Sequence, residues 1–199
     1  MHVENPVLLI IDVQKGLDEP CWGRRCNPFA EQNMARILEH WRAQKMPVVH
    51  VQHLSTNPVS PLRPGLPGNA IKTEVMPVEG EKIFQKEVNS AFIGTGLTDY
   101  LKTHGYNKLV IIGLTTNHCI SASARMAGNL GFETTVVSDA TAAFDLKGID
   151  GRLHDAETVH AISLASLNEE FASIHDTEEI LFQYVKNEKL AKNVTADEG

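Results

Sequence analysis

The chain is short of cysteine, of aromatic side chains and of any long apolar run. Three cysteines, Cys21, Cys26 and Cys119, stand in 199 residues. So sparse and odd a set excludes a disulfide framework and leaves Cys21 and Cys26 as expected free thiols in a loop. No segment approaches the ~18 unbroken apolar residues of a membrane span, so no membrane partner is expected. Lysine and arginine number 18 against 25 acidic residues, a net charge of −7, and they form no basic cluster of the kind a nucleic-acid surface needs. A P-loop is missing too. Gly94-Thr95-Gly96 lacks the third glycine and the strand-to-helix context of a dinucleotide fingerprint, so no nucleotide cofactor is expected. The start Met1-His2-Val3-Glu4-Asn5-Pro6 has no basic opening, apolar stretch and cleavage site of a secretory leader. The expectation is a cytoplasmic protein acting on small molecules.

What the chain does have is alternation. Val7 to Val13, Val48 to Gln52, Lys82 to Gln85, Leu109 to Ile112 and Thr134 to Val137 are short β-branched runs that read as buried parallel strands, with a weaker sixth near Ala172 to Ile174. Between the first two, Ala30, Met34, Ile37, Leu38 and Trp41 recur at helical spacing, with Asn27 as N-cap and Pro28 at the first helical position. Further helices are expected over Leu97 to His104, Cys119 to Leu130, Leu153 to Glu170 and Thr177 to Lys186, the last opened by a box-like cap of Asp176 and Glu179. Repeated βαβ units imply an α/β fold: a three-layer αβα, doubly wound, Rossmann-like arrangement around a mainly parallel six-stranded sheet, with its site beyond the carboxyl ends of the strands. One domain over residues 1–186 and a frayed tail over 187–199 are expected. The stretch from Leu54 to Gly80, with five prolines and three glycines, is long for a connector; it is a segment that shapes the site, or a disordered linker.

Strand ends are therefore where chemistry is sought. Gly113-Leu114-Thr115-Thr116-Asn117-His118-Cys119 places a cysteine at a helix start just past a strand, where unpaired N–H groups and the helix dipole are expected to lower the thiol's pKa. Asp12 ends the apolar run Leu9-Ile10-Ile11, where desolvation would raise its proton affinity and suit it to base work. Lys86 follows Ile83-Phe84-Gln85 at the end of the third strand. Each has an ordinary alternative, since strand-end aspartates cap loops, strand-end lysines reach water and lone cysteines pack as small hydrophobes.

Asp12 in IIDVQ, Lys86 in FQKEVNSAF, Cys119 in GLTTNHC and the later VVSDATAAF from Val136 to Phe144 together resemble the isochorismatase-like cysteine hydrolases. That group includes nicotinamidases and N-carbamoylsarcosine amidohydrolases. The match runs from Val7 to about Phe171. The resemblance implies a catalytic triad of Asp12, Lys86 and Cys119, with Cys119 attacking an amide-like carbonyl to give a thioester and Lys86 helping to lower the thiol's pKa. It also implies an oxyanion hole made by the N–H groups of Thr115 and Cys119, after a cis bond at Leu114-Thr115. Relatives commonly assemble as homo-oligomers, dimers or larger.

The departures from that pattern are equally specific. Nicotinamidases carry an aspartate and histidine group after the second strand that holds a metal. Here Val49-His50-Val51-Gln52-His53 has no aspartate two before a histidine, and residues three apart on a strand face opposite ways, so no metal is expected. His118, Trp22, Asn89 and Phe92 are candidate substrate-binding residues by nearness to strand ends, and Arg24-Arg25 is expected to stay solvated. The leading reading is a cysteine-dependent hydrolase of a small amide, lactam or carbamoyl compound. An isochorismate-type vinyl ether hydrolase and a catalytically silent binding protein are the alternatives.

Overall fold

The computed structural model describes residues 5–184. Six parallel strands lie in the order β3-β2-β1-β4-β5-β8: β1 (Val7–Ile11), β2 (Val48–His53), β3 (Lys82–Lys86), β4 (Lys108–Leu114), β5 (Glu133–Ala142) and β8 (Ser173–His175). The chain winds outward one way from β1 to β3, then crosses back to lay β4 against the other side of β1. The crevice between β1 and β4 is thus the point where the winding reverses, and ligands of such sheets bind outside the strand ends there.

Alternation along β1 explains why helices cover both faces. Leu8 and Ile10 pack with Met34, Ile37 and Trp41 of α1 (Ala30–Ala43), while Val7, Leu9 and Ile11 pack with Leu97 and Leu101 of α2 (Leu97–Thr103) and Ala124 and Ala127 of α3 (Ser121–Asn129). A strand apolar at every position must be buried on both sides, and all five residues of β1 are.

Helix boundaries differ from the sequence expectation where polar side chains find other partners. Asn27 does not cap α1. It adopts a positive φ of 47°, and its amide donates to the Ser138 and Thr141 carbonyls at 3.0 and 2.7 Å, tying the loop to the end of β5. The long helix expected from Leu153 to Glu170 is shorter: Leu153–His154 pairs as β7 with β6 (Leu146–Lys147) in a two-stranded ribbon. Helix α4 (Ala156–Ala165) then starts at Asp155, whose carboxylate accepts from the Thr158 N–H at 2.8 Å. The Asp176 and Glu179 cap is present, each side chain accepting from the other's backbone N–H at 2.8 and 2.9 Å. The helix it opens is described over 177–184, so its expected end at Lys186 and the tail over 187–199 lie outside the described residues.

The Leu54 to Gly80 stretch is ordered, not a linker. Its short turns Pro67–Asn69 and Thr73–Val75 are anchored by Lys72, whose ammonium donates to Glu31 of α1 and to Asp18, both at 2.6 Å. Burial pushes the Glu31 carboxyl up, but hydrogen bonds from Arg25 and Lys72 hold it down at about 2. Arg25 grips Glu31 with both terminal nitrogens at 2.6 and 2.7 Å, and Arg24 does the same to Glu157 while touching Asp145. Arg25 is therefore paired and largely covered, while Arg24 is paired yet about half exposed, as expected of a solvated group. Among the described residues, no helix is long and apolar enough to cross a membrane.

Trp41 is fully buried, donates its indole N–H to the Pro6 carbonyl at 3.1 Å and meets Tyr184 edge to face. Trp41→Ala is expected to cost ~3–5 kcal/mol of unfolding free energy, measured as a lowered denaturant midpoint with unchanged m-value.

Candidate active site

Three strand ends supply the site. At the end of β1, Asp12 takes a φ of 55°, a left-handed conformation that aspartate tolerates better than most residues; its N–H donates to Val51 of β2 at 2.9 Å. Lys86 closes β3, in register with His53 at the end of β2. Cys119 follows β4 by five residues, in one turn of π-helix, Thr116–Ile120, that leads into α3. The helix thus starts earlier than expected, and Cys119 lies on its fourth residue rather than its first. Beneath, β1 and β4 approach so closely at Gly113 (φ 129°) that a Cβ there would lie 2.0 Å from the Ile11 carbonyl oxygen. Only glycine fits.

The Lys86 ammonium is the meeting point. It is wholly buried and donates to Asp12 Oδ2 at 2.5 Å and to Cys119 Sγ at 3.4 Å. It also lies 3.3 Å from His53 Nδ1, so its three N–H bonds have three facing acceptors. Asp12 Oδ1, also buried, has no hydrogen-bond partner. Burial raises the Asp12 pKa above the ordinary carboxylate value, with Lys86 and Cys119 pulling the other way.

The thiol behaves differently from the sequence expectation. Burial raises the Cys119 pKa, the Asp12 charge adds to the rise, and the lowering by Lys86 does not offset them. Burial and the neighbouring carboxylate thus act against the thiolate, and the lysine acts for it.

The Leu114-Thr115 bond is cis, as the resemblance implies, and the Thr115 carbonyl accepts from the His118 and Ile120 N–H groups at 3.1 and 3.2 Å. Above lies a cavity of about 560 Å³, lined by Asp12, Cys119, Thr115, Trp22, Asn89 and His118 among others. Asn89 Oδ1 is 3.9 Å from the sulfur, and His118 Nδ1 lies 3.1 Å from Thr115 Oγ1. Phe92 is not in the cavity wall: it stacks on Phe132 at 5.9 Å and packs into the core under α3. This apolar side chain, six residues past the end of β3, turns toward the core rather than the cavity.

Sequence reasoning missed His53, which it reads as an ordinary packed or loop histidine rather than a metal ligand; its strand-end place was the available signal. His50, by contrast, pairs with Glu81 at 2.8 Å, so the two histidines serve different partners. The Leu54 to Gly80 stretch does shape the site: its Ser55, Asn57 and Leu62 form a roof together with Phe144 and Leu146 after β5. Its base is held by Gln14, which accepts from the His53 N–H at 2.8 Å and donates to the His53 and Asn69 carbonyls at 3.0 and 2.8 Å.

A buried carboxylate and ammonium thus meet a half-buried thiol at the topological switch point of a parallel sheet. Comparison with known proteins makes this specific: the family model for the isochorismatase domain matches residues 6–179, and the chain belongs to the isochorismatase family of hydrolases. It is 46% identical over 183 residues to the isochorismatase family protein YrdC of Bacillus subtilis, covering 92% of this chain and 98% of that one. A solved structure of an isochorismatase family protein from Chromobacterium violaceum is 44% identical, with a TM-score of 0.87 over 91% of this chain and 94% of that one. Maleamate amidohydrolase of Pseudomonas putida is 39% identical over 75 residues, 38% of this chain and 35% of that one.

Burial and the nearby Lys86 charge lower the His53 pKa to about 4. The unfolded chain takes up this proton near pH ~6.5, so the stability tied to neutral His53 is full above that value and is lost as pH falls toward 4. Denaturant titrations from about pH 7 to about pH 4.5 are expected to show a decline that is smaller in His53→Asn, which keeps an acceptor for Lys86 without a titrating ring. Equal slopes in the two proteins would remove His53 from this account.

Proposed function

We propose that this protein is a cysteine-dependent hydrolase that cleaves the C–N bond of a small non-peptide amide, lactam or carbamoyl compound through a thioester. The observation that carries the reading is one buried ammonium within hydrogen-bond distance of both a carboxylate and a thiol at the foot of an open cavity. The amidohydrolase among the relatives supports the bond type.

In the proposed reaction Asp12 takes the Cys119 proton as the sulfur attacks the carbonyl carbon, so the thiolate exists only when a substrate is there to receive its electrons. The raised pKa of Asp12 makes that carboxylate a better base, and Lys86 balances whichever of its two neighbours carries the negative charge. The carbonyl electron pair moves onto oxygen and is held by the N–H groups of Thr115 and Cys119, each such donor worth roughly 3–4 kcal/mol in a transition state. Collapse breaks the C–N bond, and Asp12 gives its proton to the departing nitrogen. Water then attacks the thioester while Asp12 takes its proton. When the second intermediate collapses, the sulfur leaves and recovers the proton, releasing the carboxylic acid. This chemistry calls for no metal or cofactor, and we place the enzyme in the cytoplasm as a homo-oligomer.

Ammonia release from a panel of small amides tests the reading. Cys119→Ala and Asp12→Asn are each expected to lower kcat by about a thousandfold or more, and the double variant by little beyond either single one, because groups that act as a unit are not additive. Turnover retained in Cys119→Ala would end the thioester route.

A further inference from the structure

The cavity's charge inventory is one-sided. Among the described residues that line it, none is a lysine or arginine. The one ammonium near the sulfur, Lys86, lies buried beneath and already donates to Asp12. At the rim, the Arg24 guanidinium faces two carboxylates, Asp145 at 3.0 Å and Glu157 at 2.5 Å, so that cluster is net negative, and it is Asp145 that reaches the wall. The two wall histidines carry no compensating charge near neutral pH: burial lowers the pKa of His118, and burial with Lys86 lowers that of His53 to about 4.

The rest of the wall is neutral. Trp22 and Phe144 stack with ring centres 6.1 Å apart, and Leu17, Leu62 and Leu114 continue an apolar surface. Trp22 keeps its N–H on the Gly16 carbonyl at 2.7 Å, which fixes the ring and leaves no polar need toward the cavity. Asn57, Asn89 and Asn117 supply neutral amides.

From this we infer that the substrate is an amide that carries no negative charge and has an apolar, flat body packing against Trp22 and Phe144. A carboxylate on the substrate would lose its water with no cation to replace it and with Asp145 nearby, a penalty that the walls cannot repay. A neutral amide gives up no ionic hydration on entering and finds apolar surface and hydrogen-bonding side chains there. The inference rests on the hydrolase reading for the word substrate, but the charge preference is a property of the cavity and is measurable without turnover.

The test is binding to Cys119→Ala, with Cys119→Ser as a second background, followed by ligand-observed NMR titration. Two pairs of probes set a neutral amide against an anion: benzamide against 4-carbamoylbenzoate, where a carboxylate replaces a ring hydrogen, and butanamide against succinamate, where it replaces the terminal methyl. The neutral member of each pair is expected to bind at least about tenfold more tightly, and benzamide to lose more than butanamide when Trp22→Ala is added. Leu146→Arg, which puts a cation on the wall, is expected to narrow the gap by about threefold. Equal or tighter binding of the anions, no measurable binding of either neutral amide, or a gap unmoved by Leu146→Arg would overturn the inference. Neutral amides that bind as expected while the wild type releases no ammonia from them would overturn the hydrolase reading and leave the cavity's preference standing.

Discussion

Everything at this site follows from a lysine that has been taken out of water. A bare ammonium in such a place costs several kcal/mol, and the cost is met only if acceptors surround it with good geometry. Lys86 has Asp12, His53 and Cys119 around it, and the four residues come from the ends of β1, β2 and β3 and the turn that follows β4. The order β3-β2-β1-β4 is what makes this possible.

Burial also sets how the thiol behaves. The same desolvation that lifts the Asp12 pKa lifts that of Cys119, so the two compete for one proton across a shared cation. In the proposed reaction the proton passes to Asp12 as the sulfur attacks. A thiol that ionises only as it attacks is shielded from the alkylating and oxidising chemistry that finds standing thiolates.

Much of this was legible in the sequence because the signals were local and strong. Apolar runs such as Leu8 to Ile11 permit little but a buried strand, and a polar residue that ends such a run, as Asp12 and Lys86 do, stands out against it. The cap of Asp176 and Glu179 was equally plain. What was not legible depended on tertiary competition. Asn27 has the chemistry of an N-cap, but two carbonyls at the end of β5 claim its amide. Leu153 and His154 fit a helical pattern, yet ribbon pairing with Leu146 and Lys147 takes them. The sign of the Cys119 shift was beyond reach too, since it turns on depth of burial. Phe92 looked like a pocket residue until a ring partner across the core, Phe132, was visible.

The long segment from Leu54 to Gly80 is tied down at its base by Gln14, Asn69 and Lys72, and it contributes the roof without contributing a strand. Part of the cavity wall is therefore carried by a segment outside the sheet that positions Asp12 and Lys86. Substitutions at Asn57, Val59 or Ser60 are expected to alter what is admitted while the sheet below keeps its alignment. In evolutionary terms, one set of reaction chemistry can be passed among many diets by rewriting a few roof residues, which gives a concrete route by which sister proteins with the same sheet come to consume different molecules.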